Sequence, residues 1–404
     1  MALIGTSLPG QEALRNSREG QAAAEARRAQ PDSSPYNFKS GDFRLLVVPT
    51  IGLDWNDNIN ISKTDRQDDF ILKPLVQFNL GYPITENNVL NLNVGVGYDK
   101  YFQHDELDSW RVTSGSELSF DMFVKDFWIN FHDRCQFSQD SATESAVANT
   151  AEYGTINNTV GVLATWKLKD ISPSLGYDHA NVISPADQFS SQDRASEMIV
   201  GRVGFDLHPQ VTAGFDSSVS FTAYNDPFLN DNTAYTVGVF ADWRPGAYFR
   251  IQPRFGYTIY QFQQTAQTNR TSDLNSWYID VTAKHDFSDV AGYSFSAGHE
   301  IRLGIQSDVN EVWYLRPSLD WRFIKNTNLQ VFLSYEHAKQ GVANITGNLT
   351  ETYDWLGTGL SISHALTDRF SLALNYRFTL RSSDIPASEY NQNVVGLSLT
   401  YQTR

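Results

Sequence analysis

Charged side chains recur at every second position of otherwise apolar stretches. Lys73, Arg202, Arg250, Arg254, Arg302, Arg316, Arg322 and Arg377 stand beside Asp99, Glu117, Asp121, Asp206, Asp242, Asp280, Glu300, Asp320 and Glu336. Collected on one wet face, such groups can guide a polar, hydrogen-bonding ligand, with the arginines forking onto carboxylates. The same groups can instead pair across strands and stiffen a wall. Both readings stay open at this point. Tyr248 and Tyr314 share that face by alternation, where a ring can stack on a sugar or pack against a loop. The candidate lining set is therefore Lys73, Arg202, Arg250, Arg254, Arg302, Arg316, Arg377, Asp99, Asp121, Glu300, Tyr248 and Tyr314.

Catalytic chemistry has weaker support. Asp and His are adjacent at His104/Asp105, His132/Asp133, Asp178/His179 and His285/Asp286, which could activate water or a serine at a rim. Neighbours in a strand point to opposite faces, however, so none of these pairs makes a dyad by itself. Nucleophile-elbow, zinc-protease, P-loop and EF-hand patterns do not occur. DWNDN and NDPFLNDN lack calcium-loop spacing and read as hairpin loops. The single Cys135 excludes a disulfide scaffold and a multi-cysteine metal site, and reads as a free thiol in a packed environment. Acidic loop residues such as Asp65, Asp68, Asp69, Asp105, Glu106 and Asp108 form a solvated rim, with divalent-cation binding as the sharper alternative. The expectation is a non-enzyme without cofactor.

The elements that must position these residues follow from composition and period. In 404 residues, 31 Lys and Arg face 46 Asp and Glu, a net charge of −15 with a pI near 4.9, which argues against a nucleic-acid partner. Charged residues are 19% and aromatics 13% of the chain, so it is aromatic-rich without being greasy. No run approaches the roughly 18 apolar residues of a transmembrane helix. Residues 1–41 differ from the rest: Gln11 to Ala29 is rich in Ala, Glu, Arg and Gln, strong helix formers. A boundary near Gly41 is expected, with a helical or disordered periplasmic segment before it. The opening ALIGTSL shows no basic n-region or long apolar core, so no secretory signal is visible in it.

From Asp42 onward the period is two. Phe70, Leu72, Pro74, Val76, Phe78, Leu80 and Tyr82 share one face against Lys73, Gln77, Asn79 and Gly81, and Phe249 to Ile259 and Trp313 to Trp321 repeat the scheme. Eighteen such strands are expected, centred near Val47, Val76, Val94, Leu118, Ile129, Val160, Leu175, Val203, Val219, Val237, Phe255, Ile279, Ala297, Leu315, Val331, Leu360, Leu374 and Leu397. Strands of roughly 9 to 12 residues suit a membrane crossing. Connections alternate between short turns (KD at Lys125, KLKD, HPQ, RPGA) and longer loops (Ser138 to Glu152, Ala180 to Ala195). Aromatics cluster at strand ends: Tyr82, Trp128, Trp166, Trp243, Tyr248 and Trp321 near the turns, and Tyr98, Tyr177, Tyr260, Trp277, Trp313 and Tyr353 near the loops. The fold class predicted is an all-β transmembrane antiparallel barrel with short periplasmic turns and long extracellular loops, placed in a bacterial outer membrane among lipids and lipopolysaccharide.

The first strands, DFRLLVVPTIGLDWNDNINIS, carry an aromatic followed by Asn-Asp-Asn and an aliphatic residue, here Trp55, Asn56, Asp57, Asn58 and Ile59. This resembles the opening of outer-membrane barrel porins of the beta-barrel porin 2 family, and NVVGLSLTYQTR is similar to their closing strand. The resemblance spans residues 42–404 and implies an association with exopolysaccharide export, hence a conduit for a polysaccharide chain and a periplasmic export partner. The alternative is a diffusion porin for small polar solutes, which should fold a long loop into its lumen. Of the loops, Ala180 to Ala195 is the candidate for that role. A soluble β-propeller would need blade repeats of about 40 to 50 residues, which are absent.

Overall fold

A computed structural model describes Leu14 and residues 36–85, 88–266, 271–341 and 350–402. Strand β1 (Phe38–Ser40) extends β2 (Phe43–Asn56), which is followed by β3 (Asp69–Thr85), β4 (Asn88–Tyr101), β5 (Ser109–Val112), β6 (Glu117–Val124) and β7 (Phe127–Ser138). Then come β8 (Thr155–Trp166), β9 (Ile171–Ile183), β10 (Arg194–His208), β11 (Val211–Tyr224), β12 (Asn232–Gly246) and β13 (Phe249–Phe262). The last are β14 (Leu274–Ser288), β15 (Ala291–Leu303), β16 (Val309–Ile324), β17 (Thr327–Gln340), β18 (Glu351–Ala365), β19 (Phe370–Ser383) and β20 (Tyr390–Tyr401).

Each strand pairs antiparallel with its neighbours, and β20 returns to β2 through Leu397↔Leu53 and Val395↔Trp55, which closes the sheet. β5 and β6 both pair with β4 and with β7, so they are two halves of one wall strand. The break falls at residues 113–116, where Gly115 has φ +82. The wall therefore has 18 strands, with β1 outside that count. All eighteen expected strand centres lie in it. Closure leaves no unpaired edge, as a strand-built membrane protein requires.

Alternation sorts each strand. Leu53, Phe215, Val237, Phe255, Leu374 and Leu397 point outward and are 42–60% exposed, the apolar band that faces hydrocarbon in an outer membrane. Asp54, Asp216, Thr236, Arg254, Asn375 and Gly396 point inward from the same strands. The exterior aromatics Tyr82, Trp166, Trp243 and Trp321 ring the turn end, and Tyr177, Trp277 and Trp313 the loop end. Trp128, Tyr260 and Tyr353 do not join these girdles, because their strand phase turns them into the lumen, where they are 4%, 1% and 2% exposed. Closeness to a strand end is not enough; the parity of the position decides the face.

Close packing of the inner layer uses glycine. A Cβ on Gly298 would stand 2.7 Å from the Tyr314 hydroxyl and 2.3 Å from the Ile279 carbonyl oxygen. Its absence lets Tyr314 lie over β15 and donate to Asp280 at 2.6 Å. Of the proposed N-terminal segment, only Leu14 and residues 36–41 are described, and the expected helix over 11–29 lies outside the described residues save Leu14. Leu14 is buried among Ala180, Met198, Val200 and Tyr278, the inward residues of β9, β10 and β14. This one residue therefore packs against the inner wall of the barrel.

Candidate functional site

The extracellular mouth is filled by its own loops. Loop 139–154 leaves the wall between β7 and β8 and reaches the strands half-way round the barrel. Asp140 there receives Arg377 of β19 at 2.5 and 3.1 Å. Ser145 donates to Glu336 of β17 at 2.8 Å, and its carbonyl accepts from Arg381 of β19 at 2.9 Å. Asn149 donates to Ala387 in the β19–β20 loop at 2.7 Å. Loop 184–193 lies alongside: the Phe189 ring meets the edge of Tyr153 at 5.0 Å, and Tyr153 donates to Gln192 at 3.1 Å. Ile61, Ala142, Val147, Tyr153 and Phe189 from three loops, with Val312, Ala338, Tyr353, Trp355 and Tyr390 from the wall, form one apolar core inside the lumen. Burying a large apolar side chain contributes about 1.5–3 kcal/mol, so this core fixes the loops in place.

The sequence expectation named loop 180–195 for an in-folded role, but loop 139–154 is the one that spans the lumen, with 184–193 packed behind it. The signal available was composition: SATESAVANTAEYG is rich in Ala, Ser and Thr, small side chains that suit a loop that must pack inside a barrel.

Most of the proposed lining charges face the lumen already paired. Lys73 meets Asp54 at 2.9 Å, Arg250 meets Asp242 at 2.6 Å, Arg254 meets Asp216 at 3.3 Å, and Asp99 meets Arg111 at 3.2 Å. Arg302 donates to Glu300 at 2.8 Å and to both oxygens of Glu336 at 2.9 and 3.1 Å, and Arg316 adds a third donor to Glu336 at 2.7 Å. Asp121 accepts from Trp128 and Asn130 at 3.0 and 2.8 Å. The Arg202 guanidinium lies 3.7 Å from the Phe240 ring centroid, a cation–π contact. Tyr248 departs from this pattern. It lies in the turn between β12 and β13, is 61% exposed, and does not line the lumen. Its parity was extrapolated past the strand end, and a register shift between Trp243 and Gly246 breaks the alternation there.

The sequence reading missed the charge that stands apart. Arg194 opens β10 and is 6% exposed, yet its Nε has no partner and its Nη1 reaches only the Gln192 carbonyl at 3.4 Å. An uncompensated buried charge costs several kcal/mol. The Gln192 side-chain amide nitrogen is likewise without a partner.

Two loop carboxylates are shifted in opposite directions. Burial pushes the Glu144 carboxyl up to about 7, helped by Glu336 and opposed by Arg302, by the Ala146 amide and by Arg194. Burial acts on Asp140 in the same sense, but the hydrogen-bonded Arg377, Lys73 and the Ala142 amide together hold that carboxyl below its ordinary value.

The adjacent Asp and His residues do not pair with each other. Asp178 and His179 face opposite sides of β9: Asp178 accepts from His132 at 2.8 Å in the lumen, while His179 meets Glu197 at 2.9 Å outside. His132 has its other ring nitrogen on Asn130 at 3.0 Å, and the hydroxyl of Ser119, its cross-strand neighbour, makes no hydrogen bond. His132 therefore bonds to Asn130 and Asp178 and not to Ser119. His104 binds Asp69, whose two oxygens also collect the amides of Phe102, Gln103 and His104, so that acid caps a strand end. Among the described residues no cluster of three or more His, Cys, Asp or Glu is arranged for a metal ion.

No family model matches the chain, and no curated protein does. Solved structures do match. The outer membrane protein OpdK from Pseudomonas aeruginosa aligns with a TM-score of 0.50 at 8% identity, over 89% of this chain and 99% of that one. OccAB3 of Acinetobacter baumannii aligns with a TM-score of 0.50 at 9% identity, over 89% and 99%. The chain thus shares the barrel fold of these structures.

Proposed function

We propose that this barrel is an outer-membrane channel for small polar solutes. The observation that carries the reading is loop 139–154, tied by Asp140 to Arg377 and by Ser145 to Glu336 and Arg381 on the far wall. An 18-stranded wall is wide enough for an aqueous lumen, and a loop fixed across it narrows that lumen. A polysaccharide chain sliding through would have to displace the core of Tyr153, Phe189, Tyr353 and Trp355. Small solutes need no such displacement. The export reading implied by the family resemblance is therefore set aside, and with it the need for a periplasmic export partner. The fold likeness to OpdK and OccAB3 supports the same choice at the level of architecture. The wall contributes paired charges and amides that hold water and orient polar groups without binding them tightly. No cofactor enters this reading.

The test is liposome swelling with the purified full chain. Sugars and organic acids of one ring should enter, whereas linear polysaccharides of ten or more units should not. Retention of every small solute, with passage of polymer, would reverse the choice.

A further inference from the structure

A cavity lies behind the lumen-spanning loop, walled by Glu144 and Tyr153 of loop 139–154, Gln192 of loop 184–193, Arg194 at the start of β10, Arg302 of β15 and Tyr353 of β18. It leaves about 30 Å³ of free space, more than the roughly 10–15 Å³ that one water requires. Two of its walls offer donors without acceptors. The Arg194 Nε and the Gln192 amide nitrogen have no partner, on residues that are 6% and 2% exposed. The Gln192 oxygen is held by the Tyr153 hydroxyl at 3.1 Å, which leaves the nitrogen as the group still to be satisfied. Arg302 cannot turn to the cavity, because Glu300 and Glu336 already take its three donor nitrogens. Buried donors left over in a native fold need an acceptor, and a guanidinium beside an amide calls for a negative one.

We propose that this cavity binds one small monovalent anion, a halide or the carboxylate of a formate- or acetate-sized acid, between the Arg194 guanidinium and the Gln192 amide. The anion joins loop 184–193 to the wall from behind and so holds the mouth in its closed packing. The site goes beyond the transport reading and does not depend on it, since it is a property of the folded chain.

Protonation of Glu144 controls the field at the site. Around that carboxyl stand Arg194 of β10, Arg302 of β15, Glu336 of β17, Tyr353 of β18, Arg381 of β19 and, on its own loop, Tyr153. Glu336 is matched by Arg302 and Arg316, and Arg381 by Glu351. When Glu144 is neutral, Arg194 is the unmatched charge; when Glu144 ionises, it repels the incoming anion. Because burial raises this carboxyl to about 7, anion affinity should rise as the pH falls through that value.

The experiment follows thermal unfolding of the full chain in detergent at about pH 6 and about pH 8. Sodium chloride, formate and gluconate are compared at equal ionic strength, gluconate being too large for the cavity. Expected is a saturable rise of the midpoint with chloride or formate, absent with gluconate and weaker at the higher pH. A response to chloride alone assigns an inorganic anion, and a stronger response to formate assigns a carboxylate. Arg194→Gln should weaken the response by about tenfold or more, while Arg244→Gln, on the periplasmic side, should leave it unchanged. Gln192→Glu supplies a tethered carboxylate, so it should raise the midpoint in anion-free buffer and abolish the response. Equal effects of all three salts, or an unchanged response in both Arg194→Gln and Gln192→Glu, would overturn the proposal.

Discussion

In its periplasmic half the lumen is lined by Thr212, Ser294, Ser318 and Asn375, half-buried groups that bond to cross-strand neighbours: Thr212 donates to Asp206 at 2.6 Å, Ser294 and Ser318 share a bond at 2.6 Å, and Asn375 accepts from Ser361 at 2.7 Å. In the extracellular half the inward positions are Trp355, Tyr353, Glu336 and Arg381, each nearly or wholly buried. One rule of alternation built both halves. The difference lies in what the inward side chains meet: their cross-strand neighbours in one half, and loops 57–68, 139–154 and 184–193 in the other. The segments that have no period therefore decide what fills the mouth, and the wall serves as the frame that receives them.

Removing loop residues 140–152 should erase the difference between the halves and give the largest effect. Single-channel conductance in a planar bilayer should rise several-fold, because the lumen of an 18-stranded barrel is wide when nothing crosses it. Unchanged conductance would mean that the loop does not limit the path.

The frame was legible in the sequence and the filling was not, for physical reasons. Strands announce themselves when one face meets lipid and the other water, as Phe255 and Tyr257 do against Arg254 and Gly256. Where loops pack inside, that contrast fades. On β10 the inward Met198 and Val200 are as apolar as the outward Ile199 and Val203, so alternation marks the strand only after Arg194, and that buried cation falls within the expected loop 180–195. Arg377 and Glu336 were identified as lumenal, but their partners Asp140 and Ser145 are more than 190 residues away, and no local pattern joins them. Tyr248 failed in the opposite way, by carrying a valid period into a turn that had ended it.

Charge removal should separate the halves next. Glu336→Ala leaves Arg302 and Arg316 facing each other without their shared acceptor in a dry mouth, a loss of about 3–5 kcal/mol. The midpoint of thermal unfolding in detergent should fall by many degrees. At the periplasmic end Arg244→Ala should change it little, because Arg250 keeps both Asp242 oxygens at 2.9 and 2.6 Å. Equal losses at the two ends would show that the mouth is not the drier region.

A pH series tests the same contrast more finely. Glu144 has its carboxyl raised to about 7 from an unfolded value of 4.5, so the folded state binds more protons than the unfolded state between those limits. The stability it contributes is present below about 4.5 and is lost as the pH rises through about 7. Glu144→Gln should flatten that part of the profile. The unfolding midpoint of the wild-type chain minus that of the variant, followed between about pH 4 and pH 8, checks the sign.

The smallest effect is expected within the mouth itself. Lys63 of loop 57–68 and Glu389 of the β19–β20 loop form an ion pair at 2.5 Å, shorter than the Arg381–Glu351 pair at 2.8 Å. If distance decided strength, Lys63→Ala would be the more damaging change. The two pairs differ in hydration, however: the Lys63 and Glu389 side chains are 48% and 31% exposed, against 1% and 10% for Arg381 and Glu351. Water screens the first pair and solvates whichever partner remains, so its loss should cost no more than about 1 kcal/mol. Arg381 also holds the carbonyls of Ser145 and Ser388 at 2.9 and 2.8 Å and lies 4.2 Å from the Tyr353 ring centroid, so Arg381→Ala should remove several contacts of the filled lumen at once. Thermal midpoints of the two single variants, measured side by side, should therefore differ severalfold in their shift. A Lys63→Ala shift as large as that of Arg381→Ala would mean that the outer loops, and not the buried core beneath them, hold the mouth closed.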